Sequence, residues 1–242
     1  MKNYLAGFVL GVAATAANAE VLVFDYVAAV QSVTTSYPPF DPVSLDSWNF
    51  HGVTVKPGDT LTGSFTIDTG TPLLYRDEDS GVQRSTYDFE PKRHTNMATA
   101  QAKEGGTLFA SLAAGYGARI HVTDAQPGKG TDSVYLSDSG YAESGRDYLA
   151  FHFKQAAGTM FADSALNSVP HIFAADSGEV YYNLGDDSTG SSYAVTGLIN
   201  SLTLRSISPV PEPSMYGMLL FGLATVGAVT RRRTSRAGAG GG

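Results

Sequence analysis

Apolar and polar residues alternate along much of the middle of this chain. Between Leu61 and Asp68, apolar residues and glycine occupy every second position, and Thr, Ser and Asp occupy the positions between them. A period of two is typical of a β-strand with one buried and one solvated face. The same alternation recurs later in the chain and predicts these inward-facing residues: Ile120 and Val122; Leu149, Phe151 and Phe153; and Leu198, Leu202, Leu204 and Ile207.

Turn-forming clusters separate the alternating segments, for example at residues 126–130 and 185–190. Only residues 159–167 have a brief helical pattern, and Pro170 would end a helix soon afterwards. Many strands without intervening long helices favour an all-β fold. We therefore predict an antiparallel β-sandwich, jelly-roll-like and with one short helix, over residues 20–209.

The N-terminal residues have the three parts of a secretory signal peptide. Lys2 supplies a positive charge, residues 4–17 form a short apolar run, and small residues stand at Ala17 and Ala19. Small residues at these two positions are typical of a cleavage site. Residues 1–19 are therefore predicted to be a signal peptide that is cleaved after Ala19.

The C-terminal residues combine a proline motif, an apolar segment and a basic cluster. An uncharged stretch at residues 214–230 is long enough for a helix of about 25 Å. Such a helix spans a bilayer core of about 30 Å if the flanking side chains reach the interface. Positive charge stays on the cytoplasmic side, so the cluster predicts that residues 20–209 lie outside the cytoplasm. The motif residues are Pro211, Glu212 and Pro213, and the cluster residues are Arg231, Arg232 and Arg233.

These features, in this order, resemble the PEP-CTERM sorting domain of Gram-negative bacteria. The resemblance covers residues 210–233. It implies that an exosortase-type membrane protease recognises the proline motif. It also implies transient anchoring in the inner membrane with the domain on the periplasmic side, then transfer to the cell surface or the extracellular space. Proteins of this family are associated with extracellular polysaccharide and biofilm.

Charge and composition exclude several classes of function. The whole chain has a net charge of −7, and residues 20–209 carry 22 acidic and 11 basic side chains, a net charge of −11. Such a domain repels nucleic acid, because phosphate binding needs clustered Lys and Arg. The chain has no cysteine, which excludes disulfides, thiolate metal sites and cysteine nucleophiles.

No compact catalytic or metal motif is present. The five histidines form neither HExxH nor HxH, and the nucleophile elbow and the phosphate-binding loops are absent. His121 and His152 fall on outward positions of predicted strands, where they are solvated unless the two strands are neighbours. We predict no catalytic residues, no bound metal and no cofactor, although a triad assembled in space leaves no sequence signature.

The sequence also leaves two kinds of binding site open, a calcium site and a sugar-binding surface. The acidic runs at residues 77–79 and 186–187 offer oxygen ligands for Ca²⁺ but lack the spacing of an EF-hand loop. Exposed aromatic rings could stack on sugars, although most aromatic residues on strands belong to the core, and Trp48 beside Phe50 has that character. The candidate aromatic residues are Tyr37, Trp48, Tyr75, Tyr87, Tyr135 and Tyr141.

Three functions therefore remain open from the sequence. The first is a non-enzymatic exported protein of the cell surface or the extracellular matrix, associated with exopolysaccharide and biofilm, as the tail resemblance implies. The second is a carbohydrate- or calcium-binding β-sandwich module; a groove lined by exposed tyrosines would support it. The third is a secreted hydrolase with an unrecognised site; a pocket in which carboxylates and a histidine converge would support it.

Overall fold

The alternating segments form β-strands in the computed structural model. The structure describes residues 20–37, 41–88, 98–102, 106–110, 116–142, 145–161, 164–166 and 178–209. The strands, in chain order, are β1 (Glu20–Ser36), β2 (Val43–Leu45), β3 (Trp48–Phe50), β4 (Val53–Val55), β5 (Thr60–Asp68), β6 (Leu73–Asp79), β7 (Val82–Asp88), β8 (Thr99–Ala102), β9 (Thr107–Ala110), β10 (Tyr116–Ala125), β11 (Thr131–Ala142), β12 (Gly145–Ala156), β13 (Gly178–Asp186) and β14 (Ser191–Pro209). The predicted all-β class is confirmed.

The predicted residues at the two ends lie outside the described part of the chain. These are Ala17 and Ala19 of the signal peptide, the motif residues Pro211, Glu212 and Pro213, and the cluster Arg231, Arg232 and Arg233. Within the described part, no helix has the length and apolar character needed to cross a bilayer, and the predicted span at residues 214–230 is not in that part. Residues Glu20–Ser208 form one compact unit.

Most strands belong to one hydrogen-bonded path in the order β6-β7-β10-β11-β12-β13-β14-β1-β5-β8-β9, with β2 also paired to β1. β3 and β4 form a separate two-stranded hairpin. The first and last described strands are neighbours in the path. Ser36 contacts Ser192, and Asp25 forms an ion pair with Arg205, so β1 and β14 run in opposite directions.

The path folds over on itself to make a two-layered core. Phe65 of β5 lies with its ring centroid 4.6 Å from that of Phe151 on β12, and Tyr26 of β1 meets Phe151 edge-on at 5.0 Å. In the path, β13, β14 and β1 separate β12 from β5. The two layers are therefore joined by continuous strand pairing, with the long strands β14 and β1 at the junction, rather than formed by two independent sheets.

Alternation along each strand determines which side chains enter this core. In β1, for example, Leu22, Phe24, Tyr26, Ala28 and Val30 are all at most 2% exposed, while the residues between them are more exposed. Burial of one large apolar side chain contributes about 1.5–3 kcal/mol relative to leaving it in water. The inward residues predicted at Ile120, Val122, Leu149, Phe151 and Phe153 are buried as expected, whereas Leu198 and Ile207 are exposed.

The short helix predicted at residues 159–167 is not observed in the described residues of that segment, 159–161 and 164–166, which contain no α-helix. Its first backbone groups have a different partner. The carboxylate of Asp132 accepts the backbone N–H groups of Thr159 at 3.0 Å and Met160 at 2.9 Å. These bonds hold the segment in a turn against the beginning of β11, so its first N–H groups are satisfied by a side chain rather than by a helix.

Candidate functional site

A row of polar and aromatic side chains crosses the outward face of five neighbouring strands. The strand register places each member directly opposite the next: Thr86 on β7, His121 on β10, Tyr135 on β11, His152 on β12 and Glu179 on β13. The intervening residues of these strands face the core, so period-two geometry directs this row outward.

Ring contacts connect the middle of this row. The ring centroids of His121 and Tyr135 lie 5.9 Å apart, and those of Tyr135 and His152 lie 5.6 Å apart with the rings nearly perpendicular. Thr86 Oγ1 lies 3.0 Å from His121 Nδ1, within hydrogen-bonding distance. The two histidines that the sequence placed on outward positions therefore do not pair directly, because Tyr135 on β11 stands between them.

Two more tyrosines extend the row into a surface. The hydroxyls of Tyr148 and Tyr135 share a hydrogen bond, and the rings of Tyr148 and Tyr181 lie 6.3 Å apart at 66°. Asn183 Nδ2 donates to the Tyr181 hydroxyl at 3.3 Å, and Tyr181 is 37% exposed. We call this surface the aromatic face; its members are His121, Tyr135, Tyr148, His152 and Tyr181.

The aromatic face is electrically neutral at pH 7. Partial burial lowers the pKa of both histidines, and the positive charge of a strand neighbour lowers it further, Arg119 for His121 and Lys154 for His152. Partial burial and the hydrogen bond with Tyr148 raise the pKa of Tyr135. The imidazoles are therefore unprotonated and the phenol keeps its proton, so the face offers uncharged groups that donate and accept hydrogen bonds.

A second cluster joins the β3–β4 hairpin to the large sheet. His51 Nε2 lies 3.1 Å from the Tyr182 hydroxyl and 3.4 Å from Asp147 Oδ2, and the Tyr182 hydroxyl donates to Asp147 Oδ1 at 3.1 Å. Burial raises the pKa of Asp147, while the His51 imidazole and the Tyr182 hydroxyl oppose that rise. A carboxylate, an imidazole and a phenol in contact can exchange protons, and they also hold the hairpin on the sheet.

The backbone at His51 explains why the hairpin turns where it does. His51 and Gly52 have φ angles of 49° and 85°, the left-handed conformation that a two-residue hairpin turn requires. Asn-Gly is the preferred pair at such a turn, so histidine is unusual there. The contacts of its side chain with Tyr182 and Asp147 explain why histidine occupies the position. Sequence reasoning missed this cluster; its only local signal was His-Gly between two short alternating runs.

The other aromatic candidates from the sequence lie elsewhere. Tyr87 is buried, with its hydroxyl donating to Ser164 O at 3.0 Å, and Trp48 stacks on Tyr193 at a centroid distance of 3.9 Å. Tyr37 and Tyr75 are exposed, and Tyr75 on β6 lies opposite Thr86, so it continues the polar row by one strand beyond the aromatic face. The side chain of Tyr141 lies outside the described part. Only Tyr135 belongs to the aromatic face. Tyr148 and Tyr181 were overlooked, although both stand at alternate positions with inward residues.

The acidic runs do not converge. Residues 77–79 lie along strand β6 rather than in a loop, and Asp186 accepts hydrogen bonds from the backbone N–H and the hydroxyl of Ser188, which lower its pKa. Among the residues that the structure describes, no three His, Asp or Glu side chains lie close enough together to hold a metal ion.

Residues 209–233 match the PEP-CTERM protein-sorting motif. No curated protein and no solved structure matches the chain. The matched segment contains the predicted motif Pro211, Glu212 and Pro213 and ends at Arg233. It implies export, transient membrane anchoring through the C-terminal region and processing by exosortase. The chain therefore carries a PEP-CTERM protein-sorting motif at residues 209–233.

Proposed function

We propose that this chain is a non-enzymatic protein of the bacterial cell surface or extracellular matrix. The observation that carries the proposal is the sorting motif at residues 209–233. A protein addressed in this way is exported and held briefly at a membrane before an exosortase processes it. The acidic, cysteine-free β domain at residues 20–208 is consistent with an extracellular location, because its net negative charge opposes self-association and keeps it in solution.

The proposed topology follows from the two ends. Residues 1–19 act as a signal peptide, and residues 214–230 form a membrane-spanning helix. Arg231, Arg232 and Arg233 stay in the cytoplasm, because translocation stops at clustered positive charge. The domain, proposed as a jelly-roll-like sandwich, folds on the periplasmic side. It then reaches the cell surface or the extracellular matrix, where it is surrounded by exopolysaccharide.

The absence of enzymatic activity is part of the proposal. The aromatic face lies on the open side of a sheet, whereas catalysis of bond cleavage exploits concave sites that exclude water. The hydroxyls of Tyr135 and Tyr148 are paired with each other, and that of Tyr181 accepts from Asn183, so none is bonded to an activating base. The His51–Asp147–Tyr182 cluster has an acid and a base, but its three contacts are used to fasten the hairpin.

Sorting is tested with an epitope placed after Gly242 in a host that carries an exosortase. We expect the mature wild-type protein to lose the epitope. The variant Pro211→Ala/Glu212→Ala/Pro213→Ala should keep it, as should the wild type in a strain without the exosortase. The matched control Thr234→Ala/Ser235→Ala changes residues just beyond the matched segment and should be processed normally. Persistence of the epitope in the mature wild-type protein would refute the proposal.

The non-enzymatic character is tested separately on the exported protein. Ester, glycoside and peptide substrates should show no turnover above that of the buffer. Turnover that disappears in Asp147→Asn or His51→Asn would instead identify a secreted hydrolase and would locate its site at the hairpin.

A further inference from the structure

We propose that the aromatic face binds an uncharged polysaccharide, with the sugar chain running across strands β10 to β13. This inference rests on the proposed matrix function and deepens it by naming the partner's chemistry. The face consists of His121, Tyr135, Tyr148, His152 and Tyr181, which the strand register collects from four neighbouring strands.

The rings supply a surface on which sugar rings can stack. One face of a pyranose is lined by C–H groups, and such a face packs on an aromatic ring while the sugar hydroxyls remain in water or find polar partners. Tyr181 is the exposed ring of this face, and it packs edge-on against Tyr148 with an angle of 66° between the two rings. Tyr181 is accordingly the primary stacking residue.

The imidazoles supply matching hydrogen bonds. Among the described residues, no side chain hydrogen-bonds to the ring of His152, and His121 uses only its Nδ1, toward Thr86. Each neutral imidazole has one donor and one acceptor nitrogen, and each sugar hydroxyl also donates and accepts. A ligand without hydroxyls would leave these groups unpaired on binding, which costs affinity.

The side chains of the face are held in place before a ligand arrives. Tyr135 is bonded to Tyr148, His121 to Thr86, and Tyr181 to Asn183. Side chains that are already ordered lose less conformational entropy when they bind, so more of the contact energy appears as affinity.

Charge selects a neutral polymer over an acidic one. Residues 20–209 carry a net charge of −11, which repels polyanions. The basic neighbour Arg119 is paired with Asp88 at 3.2 Å, and Lys154 stands on the same side of β12 as His152, whose strand partner is Glu179. The guanidinium of Arg119 is therefore balanced by a carboxylate, and one lysine beside a glutamate does not form an anion site.

The extent of the face selects a chain over a single sugar. Four adjacent strands at a spacing of about 4.8 Å extend over about 14 Å. A surface of this length accommodates consecutive sugar units, and a flat, open sheet suits a polymer that enters from the side rather than a terminal residue held in a pocket.

The test uses the mature protein purified from its exporting host. Its binding to soluble β-1,3-glucan, β-1,4-linked xyloglucan, mannan and xylan is measured by affinity electrophoresis and titration calorimetry, with alginate as the acidic probe. We expect at least one neutral polysaccharide to bind and alginate not to bind. Tyr181→Ala should weaken binding about two- to tenfold, the loss typical of one aromatic contact. Tyr181→Ala/His152→Ala should weaken it further.

The matched control is Tyr37→Ala, which removes an exposed tyrosine just after the end of β1 that is not a member of the aromatic face, and it should leave binding unchanged. Circular dichroism checks that each variant keeps its strands. The proposal is overturned if no neutral probe binds, if only alginate binds, or if Tyr37→Ala weakens binding as much as Tyr181→Ala. It is also overturned if the face joins two copies of the chain, which would appear as a dimer that Tyr181→Ala dissociates. Loss of the C-terminal epitope is measured independently, so failure of binding and failure of sorting are distinguishable.

Discussion

The carboxylate of Asp132 on β11 accepts the backbone N–H of Met160, 28 residues later in the chain, at a distance of 2.9 Å. The same carboxylate accepts the N–H groups of Thr159 and Ala125, each at 3.0 Å. Asp132 is completely buried. Three donors thus compensate for removing the carboxylate from water, and the side chain fastens two loops to the end of one strand.

Asp132→Asn should lower the free energy of unfolding by about 1–3 kcal/mol. The amide NH2 group of asparagine is only a donor, so it cannot accept a hydrogen bond from the backbone N–H that it would face. Urea unfolding followed by circular dichroism measures the change. Asp187→Asn removes the same charge from an exposed turn and should leave the stability within about 0.5 kcal/mol of the wild type. Equal stabilities of the two variants would contradict a structural role for Asp132.

Gly63→Ala should destabilise the domain strongly. A Cβ atom at Gly63 would overlap the carbonyl oxygen of Thr99 and lie 2.8 Å from a ring carbon of Tyr26, whose hydroxyl donates to that same carbonyl at 2.9 Å. Strands β5 and β8 would have to separate, so we expect a loss of about 1–3 kcal/mol. Gly130→Ala is the matched control, since its Cβ would make only an ordinary contact of 3.5 Å with Ala125. A melting temperature lowered equally by both changes would refute the argument.

His51→Asn should loosen the β3–β4 hairpin. Asparagine tolerates the left-handed backbone of the turn, so the substitution removes chiefly the contacts with Tyr182 and Asp147. Trp48 is the only tryptophan of the chain and stacks on Tyr193, so its fluorescence reports on the hairpin. We expect a red shift of emission and a loss of about 1 kcal/mol. Lys56→Ala, an exposed change just after β4, serves as control. An unshifted spectrum for His51→Asn would show that the cluster does not hold the hairpin.

Stability should fall as the pH drops below the ordinary histidine pKa. The folded-state pKa values of His121 and His152 are lowered from 6.5, so the unfolded chain binds more protons between the lowered values and 6.5. Acidification through that window therefore favours unfolding, and the full stability is present above it. His121→Gln/His152→Gln should show a smaller loss of unfolding free energy between pH 7.5 and 5 than the wild type. Imidazole titration midpoints at or above 6.5 in magnetic resonance spectra would contradict the assignment.

Local pattern determined the strand assignments and the faces of the strands. Alternation around Ile120 and Phe151 placed those residues inward and His121 and His152 outward, because the two faces of a strand follow from the backbone alone. The exceptions are instructive. Leu198 is exposed on the outward side of β14, opposite Glu179, because an apolar residue there faces solvent rather than the second layer.

The sorting motif was also readable from the sequence, and the comparison at residues 209–233 confirms it. A membrane protease reads such a motif as a linear segment beside an apolar stretch, so its information is local. The signal peptide at residues 1–19 and the membrane helix at residues 214–230 rest on the same kind of local evidence and stay predictions.

The pairing of strands was decided only by the tertiary structure. A period of two says which way a side chain points but not which strand lies beside it, since pairing depends on contacts between residues far apart in the chain. Tyr135 separates His121 from His152 because β11 lies between β10 and β12. The same long-range packing folded the sheet over so that Phe65 meets Phe151, and it brought His51 to Asp147. It also gave Asp132 the backbone donors of a segment whose local pattern had predicted a helix.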